Sequence, residues 1–425
     1  MDTLRFGSRG AQVEYLQLAL QRAGYRDLAL DGIFGARTGD AVRDFQQRNG
    51  LFPDGVVGRL TWNRLMPYLK GYTTYTVRRG DTFYNIAQKF GTDLRRILTA
   101  NPTINPQNLQ FGSVVYVPYD FALVPTNVQY SYILLTLLTE GLAVRYPFLK
   151  TGSFGQSVMG KNLVYIRIGT GAKEVFYNAA HHANEWLTTP VLLKFTEDYA
   201  DAFSQGGSIG GTPANTLFRN YSLYLAPMVD PDGVDLVTGV LSSGGYYNQA
   251  VRISEQYPQV SFPSGWKANI AGVDLNLQYP ANWDEAKRIK FEQGFTSPAP
   301  RDFVGKAPLV APESYAVYRF TKSHNFLLTL SYHSQGKLIY WKYLDYEPAR
   351  SREIADYFGE VSGYSVEETP YASGFAGYKD WFIETYNRPG YTIEVGLGQS
   401  PLPVSQFPEI YRANLGILVG GMTKI

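Results

Sequence analysis

The stretch AAHHANEW, residues 179 to 186, holds two of the four histidines in a chain of 425 residues, and a glutamate follows the second by three places. His182 and Glu185 can present an imidazole nitrogen and a carboxylate oxygen to one ion. Zinc accepts both donor types, and a zinc that catalyses is commonly held by three protein groups with water in the remaining position. His333, in LTLSYHSQG, supplies a third donor. Taken alone, an HxxE recurs by chance, and a histidine ahead of a helix can simply cap or pack. Both histidines, however, stand where apolar, strand-like runs end: Val175 to Asn178 before the first, Leu327 to Tyr332 before the second.

The elements that must position these donors follow from the pattern around them. From about residue 128 onward, strand-like runs at 163–168, 174–178, 221–225, 326–332 and 390–395 alternate with helical stretches such as 187–203 and 311–324, after an opening helix at 130–146. Alternation over some 300 residues implies an α/β domain with a central mixed sheet flanked by helices. In such folds ligands gather where the strands end.

Ahead of this segment lie two smaller patterns. Residues 4 to 69 contain an echo, Asp31-Gly-Ile-Phe-Gly before Thr38 and Asp54-Gly-Val-Val-Gly before Thr61. Each Asp-Gly suits a tight turn, and each threonine is read as starting a helix. Helical spacing at 10–23 and 36–48 completes a small three-helix module. It resembles the peptidoglycan-binding domain type 1, which shares the DGxxGxxT pattern and an FQ pair like Phe45-Gln46. Residues 75 to 118 read strand, helix, helix, strand, with Asp81 or Thr82 and Thr92 or Asp93 as caps and Gly91 as a stop. With YTVRRGDTFYNIAQKF and the later Asn-Pro, this stretch resembles a LysM domain. The expected organisation is therefore multidomain: a helical peptidoglycan-binding module at 1–70, an α+β LysM module at 72–118, a linker at 119–127 and the α/β segment at 128–425. Both resemblances imply a grip on peptidoglycan glycan strands, or in the plainer alternative a spacer.

Composition narrows the partners. The net charge is +2 and no Lys/Arg block occurs, so nucleic acid is not an expected partner. Cysteine is absent, which removes disulfides and thiolate metal sites. No apolar run of membrane-spanning length appears, so no membrane insertion is expected, and MDTLRFGSRGAQVEYLQ lacks the layout of a secretory signal.

Across residues 128 to 425, HxxEW, GVDLN, SYHS and TIEVG occur in the order found in the zinc carboxypeptidase family, which this segment resembles. The resemblance implies one zinc ion held by His182, Glu185 and His333, with Glu394 as the base that takes a proton from water and Asp274 as the carboxylate orienting the first imidazole. It makes Asn276 a substrate contact and puts Lys267 where an arginine often polarises the scissile carbonyl. His181 and His324 have no part in this scheme.

Two departures bear on substrate. Family members that trim a free C-terminus follow GVDxN with arginine, a bidentate carboxylate clamp; here Leu277 follows Asn276. In YASGFAGYKDWF, the Asp380-Trp381 pair resembles the family's Asp-Trp, and the resemblance implies that Lys379, just before it, lies in the pocket for the side chain after the cleaved bond and that Tyr371 or Tyr378 is the mobile tyrosine near the substrate. The pieces resemble the γ-D-glutamyl-meso-diaminopimelate peptidases, wall enzymes cutting peptidoglycan stem peptides, with Lys379 meeting the extra carboxylate of the diamino acid. The implied setting is the cell wall or another extracytoplasmic site, linked to sporulation or lysis. Two other readings stand beside this one: a carboxypeptidase with an altered clamp, and an inactive wall-binding protein.

Overall fold

A computed structural model describes residues 1–425, which divide into two compact units: Met1–Gln129 with Ile133–Lys150, and Tyr130–Tyr132 with Thr151–Ile425.

The first unit opens with three helices, α1 (Ala11–Arg22), α2 (Ala36–Arg48) and α3 (Arg59–Lys70). Val13, Leu16 and Leu20 of α1 are fully buried, as their spacing requires. The sequence echo is a structural repeat with a specific device. Gln17 donates to Asp31 Oδ1 (2.7 Å) and accepts from Gly32 N (3.0 Å). Gln46 does the same for Asp54 Oδ1 (2.9 Å) and Gly55 N (2.9 Å). Thr38 and Thr61 do not start their helices: the N-caps are Gly35 and Gly58, without a side-chain cap. Both threonines are instead buried in the first turn and accept from Gln17 (3.4 Å) and Gln46 (3.1 Å). A buried hydroxyl with a glutamine partner outweighs the exposed capping role.

Strands β1 (Tyr72–Thr76) and β2 (Val114–Pro118) pair antiparallel around α4 (Phe83–Phe90) and α5 (Leu94–Ala100). Thr82 and Asp93 are the caps, accepting from Asn85 N and Arg95 N, and Gly91 closes α4 at φ 59°. The first strand begins at Tyr72, earlier than the start at residue 75 read from the sequence, because the register Tyr72↔Pro118 to Thr76↔Val114 consumes the whole of β2. Val77 packs into the small core with Ile86, Ile97, Val115 and Val117.

Helix α6 (Tyr132–Arg145) heads the α/β segment in sequence, yet from Ile133 onward it packs with the N-terminal modules. Buried Arg145 donates to the carbonyls of Gly71 (3.0 Å), Tyr119 (3.0 Å) and Phe121 (2.7 Å). Gly141 is required by contact, since a Cβ there would lie 2.1 Å from the Lys70 carbonyl oxygen.

The second unit is built on an eight-stranded mixed sheet. Its strands are β3 (Lys150–Gln156), β4 (Asn162–Ile168), β5 (Lys173–Ala179), β6 (Tyr221–Ala226), β7 (Phe326–His333), β8 (Leu338–Tyr340), β9 (Ser365–Glu367) and β10 (Gly390–Glu394), in the spatial order β9-β8-β10-β7-β5-β6-β4-β3. The central four, β10, β7, β5 and β6, run parallel. All their C-terminal ends therefore open on one edge. The interior of β5, β6, β7 and β10 is almost wholly buried, matching strands that are mainly apolar on both faces. Helices α7 (Thr188–Gln205), α8 (Pro231–Val237), α9 (Pro312–Lys322), α10 (Tyr378–Tyr386) and α11 (Phe407–Thr423) complete the layers used below. No helix is long and apolar enough to cross a membrane.

Candidate metal centre

His181 and His182 follow β5 after one intervening residue, Ala180, and a short 3-10 turn, Ala183–Glu185, carries the glutamate before α7 begins. Helix α8 packs beneath this turn; a Cβ at Gly233 would fall 2.7 Å from Ala183 Cβ, so glycine permits the approach. Glu185 N donates to the His182 carbonyl (3.1 Å), which turns both side chains the same way. His333 is the last residue of β7, and Glu394, the last of β10, is its in-register neighbour in the sheet. Parallel partners project to the same face, so ligand and acid share one rung.

The three donors converge. His182 Nδ1 lies 2.9 Å from Glu185 Oε1, His333 Nδ1 lies 2.9 Å from Glu185 Oε2, and the two Nδ1 atoms are 3.1 Å apart. All three residues are buried. Asp274 accepts from His182 Nε2 (3.2 Å), which fixes the proton there and leaves the Nδ1 lone pair pointing at the cluster. Two imidazole nitrogens facing each other at this distance beside a carboxylate suit a shared cation, and the separations approach the roughly 3.3 Å edge of a tetrahedron with ~2.0 Å bonds. The donor set, two nitrogens and one oxygen, fits zinc.

Supporting contacts hold the donors in place. Asp274 also accepts from Asn276 N (3.1 Å) and Asp302 N (3.2 Å). Ser334 N donates to Glu185 Oε2 (3.2 Å). Sequence reasoning passed over Ser334 and Asp302; the first stands beside a ligand in SYHS, while nothing local marks the second. His181 is fully buried, bonds Tyr279 Oη through Nε2 (3.0 Å), and is kept neutral by burial and the neighbouring imidazoles. His324 pairs with Glu174 (3.2 Å) away from the centre.

A cavity of about 220 Å³ opens on the centre, lined by His182, His333 and Glu394 together with Lys267, Asn276, Leu277 and Lys379. Burial and then the charge of Glu185 push the Glu394 carboxyl up to about 8, against the pull of Lys267 and His182. Asp274 stays well below the usual carboxylate range: burial raises it, and His182, Lys267 and the Asp302 amide outweigh that. Lys267 Nζ sits 3.8 Å from Glu185 Oε1; burial opposes its charge, but Glu185 and Asp274 raise its pKa, so it stays cationic.

The remaining expected residues separate. Asn276 accepts from Tyr378 N (3.0 Å) through Oδ1. Tyr378 itself is fully buried, its hydroxyl 3.0 Å from Thr321 Oγ1, so it does not reach the cavity: a large ring at the start of α10 packs into the core. Tyr371 is 64% exposed, with its hydroxyl on Glu285 (2.7 Å). Lys379 is 4% exposed and its ammonium meets the Lys342 carbonyl (2.7 Å), Thr369 Oγ1 (3.2 Å) and Asp380 Oδ1 (2.7 Å). Two of its protons are thus hydrogen-bonded, to the Lys342 carbonyl and Thr369 Oγ1, and Asp380 adds an ion pair.

A mixed sheet whose parallel strand ends bring together a His-Glu-His triad and a facing carboxylate defines a metal-dependent hydrolase of the peptidase type. The model of the zinc carboxypeptidase family matches residues 136–416, and the chain belongs to that family. The putative peptidoglycan binding domain matches residues 9–65 and the LysM domain residues 75–118. Among relatives, γ-D-glutamyl-L-diamino acid endopeptidase 1 of Lysinibacillus sphaericus is 40% identical over 401 residues, 81% of this chain and 98% of that one. An uncharacterized protein of Bacillus subtilis is 41% identical over 276 residues, 64% of this chain and 72% of that one. Among solved structures, bovine thrombin-activatable fibrinolysis inhibitor superposes with a TM-score of 0.54 at 17% identity, over 70% of this chain and 98% of that one. Carboxypeptidase A of Helicoverpa armigera gives 0.51 at 19%, over 91% and 94%. The protein is a zinc metallopeptidase with two wall-binding modules.

Proposed function

We propose that this chain hydrolyses peptidoglycan stem peptides at the bond between γ-D-glutamate and the diamino acid. The observation carrying the reading is the cavity in which Leu277 lines the wall where a C-terminal clamp would need a cation, while the metal donors and Glu394 are all kept. The relative named for cleavage of that linkage, matched along 98% of its length, supports it.

When bound by His182, Glu185 and His333, zinc supplies a Lewis acid and lowers the pKa of water at the site. Glu394 accepts the proton as the water oxygen bonds to the scissile carbonyl carbon, and returns it to the departing amine as the C–N bond breaks. Lys267 offsets the negative charge that grows on the carbonyl oxygen. Asn276 orients the peptide, and Tyr371, on its exposed loop, closes against it. Residues 1–70 and 72–118 hold glycan strands, 119–127 link them to the catalytic segment 128–425, and the enzyme works at the cell wall during sporulation or lysis, with no nucleic acid partner.

Mass analysis of products from purified muropeptides tests this directly. Free diamino-acid peptides and stems ending in D-glutamate are expected; products cut elsewhere refute the reading. Lys290 and Lys379 in the same cavity favour a second reading, a carboxypeptidase with a lysine clamp. A stem with a blocked C-terminus separates the two, since only an endopeptidase cuts it.

A further inference from the structure

A second cavity, about 500 Å³, meets the centre from another side. Its wall includes Gln259, Gln335, Ser400 and Arg301, with Glu185 and Lys267 at the metal end. Lys267 also lines the cavity that contains Glu394. A bound peptide that places its carbonyl between Lys267 and Glu394 therefore has this second cavity for the residues on one side of the cut. The wall is polar amide and hydroxyl rather than apolar, which suits a hydrophilic chain.

The charge balance there is uneven. Asp302 is shared between two cations, Arg301 Nε at 2.6 Å and Lys290 Nζ at 2.8 Å. One negative charge against two positive charges leaves the trio net positive. Only Nε of Arg301 is engaged by Asp302, so its Nη protons remain for a ligand at the cavity wall. The geometry is held from below: Asp302 sits at φ 63°, a left-handed conformation that aspartate tolerates, and donates its N–H to Asp274 Oδ2. The carboxylate that orients His182 thus also anchors the backbone next to Arg301.

Resting on the proposed cleavage reading, the chemistry of the linkage names the ligand. A glutamyl residue joined through its side-chain carbonyl keeps a free α-carboxylate a few bonds from the scissile carbon, whereas an α-linked peptide has a neutral amide there. We propose that Arg301 receives this α-carboxylate on the amino side of the cut, and so selects γ-glutamyl linkages with an unblocked acid over amidated or α-linked ones. Its guanidinium can engage both oxygens.

The test uses the full-length zinc-loaded enzyme and two synthetic stem peptides, L-Ala-γ-D-Glu-diaminopimelate with the α-carboxylate free and the same peptide with it amidated. Wild type is expected to prefer the free acid. Arg301→Gln should lower kcat/KM on the free acid by about 10- to 100-fold and hardly change the amide, so that the preference collapses. Arg301→Lys should retain part of it, since charge persists without the fork. Melting temperature and zinc content of Arg301→Gln are expected to match wild type, because Asp302 keeps Lys290. Equal losses on both peptides, or a wild type without preference, overturn the assignment to Arg301 alone. A wild type that cuts neither peptide overturns the cleavage reading, and this assignment with it.

Discussion

Asp274→Asn is the substitution that most directly tests how the centre is assembled. Asp274 accepts three hydrogen bonds: His182 Nε2 at 3.2 Å, Asn276 N at 3.1 Å and Asp302 N at 3.2 Å. Asparagine has one acceptor oxygen and one NH₂. His182 Nε2 and Asn276 N both bond Oδ1, whereas Asp302 N bonds Oδ2. If the amide oxygen keeps Asp302 N, the NH₂ faces His182 Nε2, which must then carry a lone pair and move its proton to Nδ1, the atom that belongs to the metal; in the other orientation the NH₂ opposes the Asp302 N–H and a neutral oxygen replaces the carboxylate at His182. Loss of such an orienting partner typically costs about 10- to 100-fold in metal affinity, about 1.4 to 2.8 kcal/mol. The assay is competition for zinc against a chelator of known affinity, with metal content read by elemental analysis. Activity at saturating zinc should recover in part, and the melting temperature measured with excess chelator should change far less than that of the zinc-loaded protein. An unchanged zinc affinity would refute the claim that Asp274 sets the tautomer.

Other perturbations follow from the same geometry. Glu394→Gln should cut kcat by about 10²- to 10⁴-fold while zinc content stays at one per chain, as elemental analysis and steady-state kinetics will show. In the wild type, kcat/KM should fall as pH drops through the Glu394 pKa, because the protonated acid cannot accept a proton; a bound dication moves that limb to the acid side of about 8. A flat profile through this range would remove Glu394 as the base. Lys379→Met leaves Asp380 buried without its cation and should cost about 3–5 kcal/mol in denaturant unfolding, with much of it recovered in the Lys379→Met/Asp380→Leu pair. Removing residues 1–118 should slow digestion of intact sacculi far more than of soluble stem peptides, since tethering raises local concentration; comparable slowing of both contradicts a targeting role.

Much of the centre was legible because its residues carry their context with them. His182 follows closely on one buried strand, His333 ends a second and Glu394 closes a third, so burial pattern and chemistry coincide in the sequence. The caps Thr82 and Asp93 were legible for a similar reason: their partners lie within three residues. What escaped depends on distant chain. Asp302 reaches Asp274 across 28 residues of loop, and neither spacing nor residue type announces that contact. Strand β3, KTGSFGQ, lies at the sheet edge with little burial and no alternation, while β8 and β9 have three residues each, too few for any period to show. Tyr371 and Tyr378 look alike in sequence, yet one falls on an exposed turn and the other under α10, a distinction that only tertiary packing makes. Thr38 and Thr61 mislead because the glutamines that claim them lie 21 and 15 residues upstream.

Because Glu394 and His333 are paired residue for residue between β10 and β7, their spacing is a lattice constant of the sheet. Inserting or deleting a single residue in β10 would turn the acid to the opposite side of the pleat and abolish turnover at once, without touching a zinc donor. Loops beyond the strand tips that carry no zinc donor and none of the groups bonded to one, such as the exposed turn at Tyr371, bear no such constraint. Substrate preference can therefore be re-engineered there, even by changes of length, while the proton-transfer geometry stays clamped by main-chain hydrogen bonds.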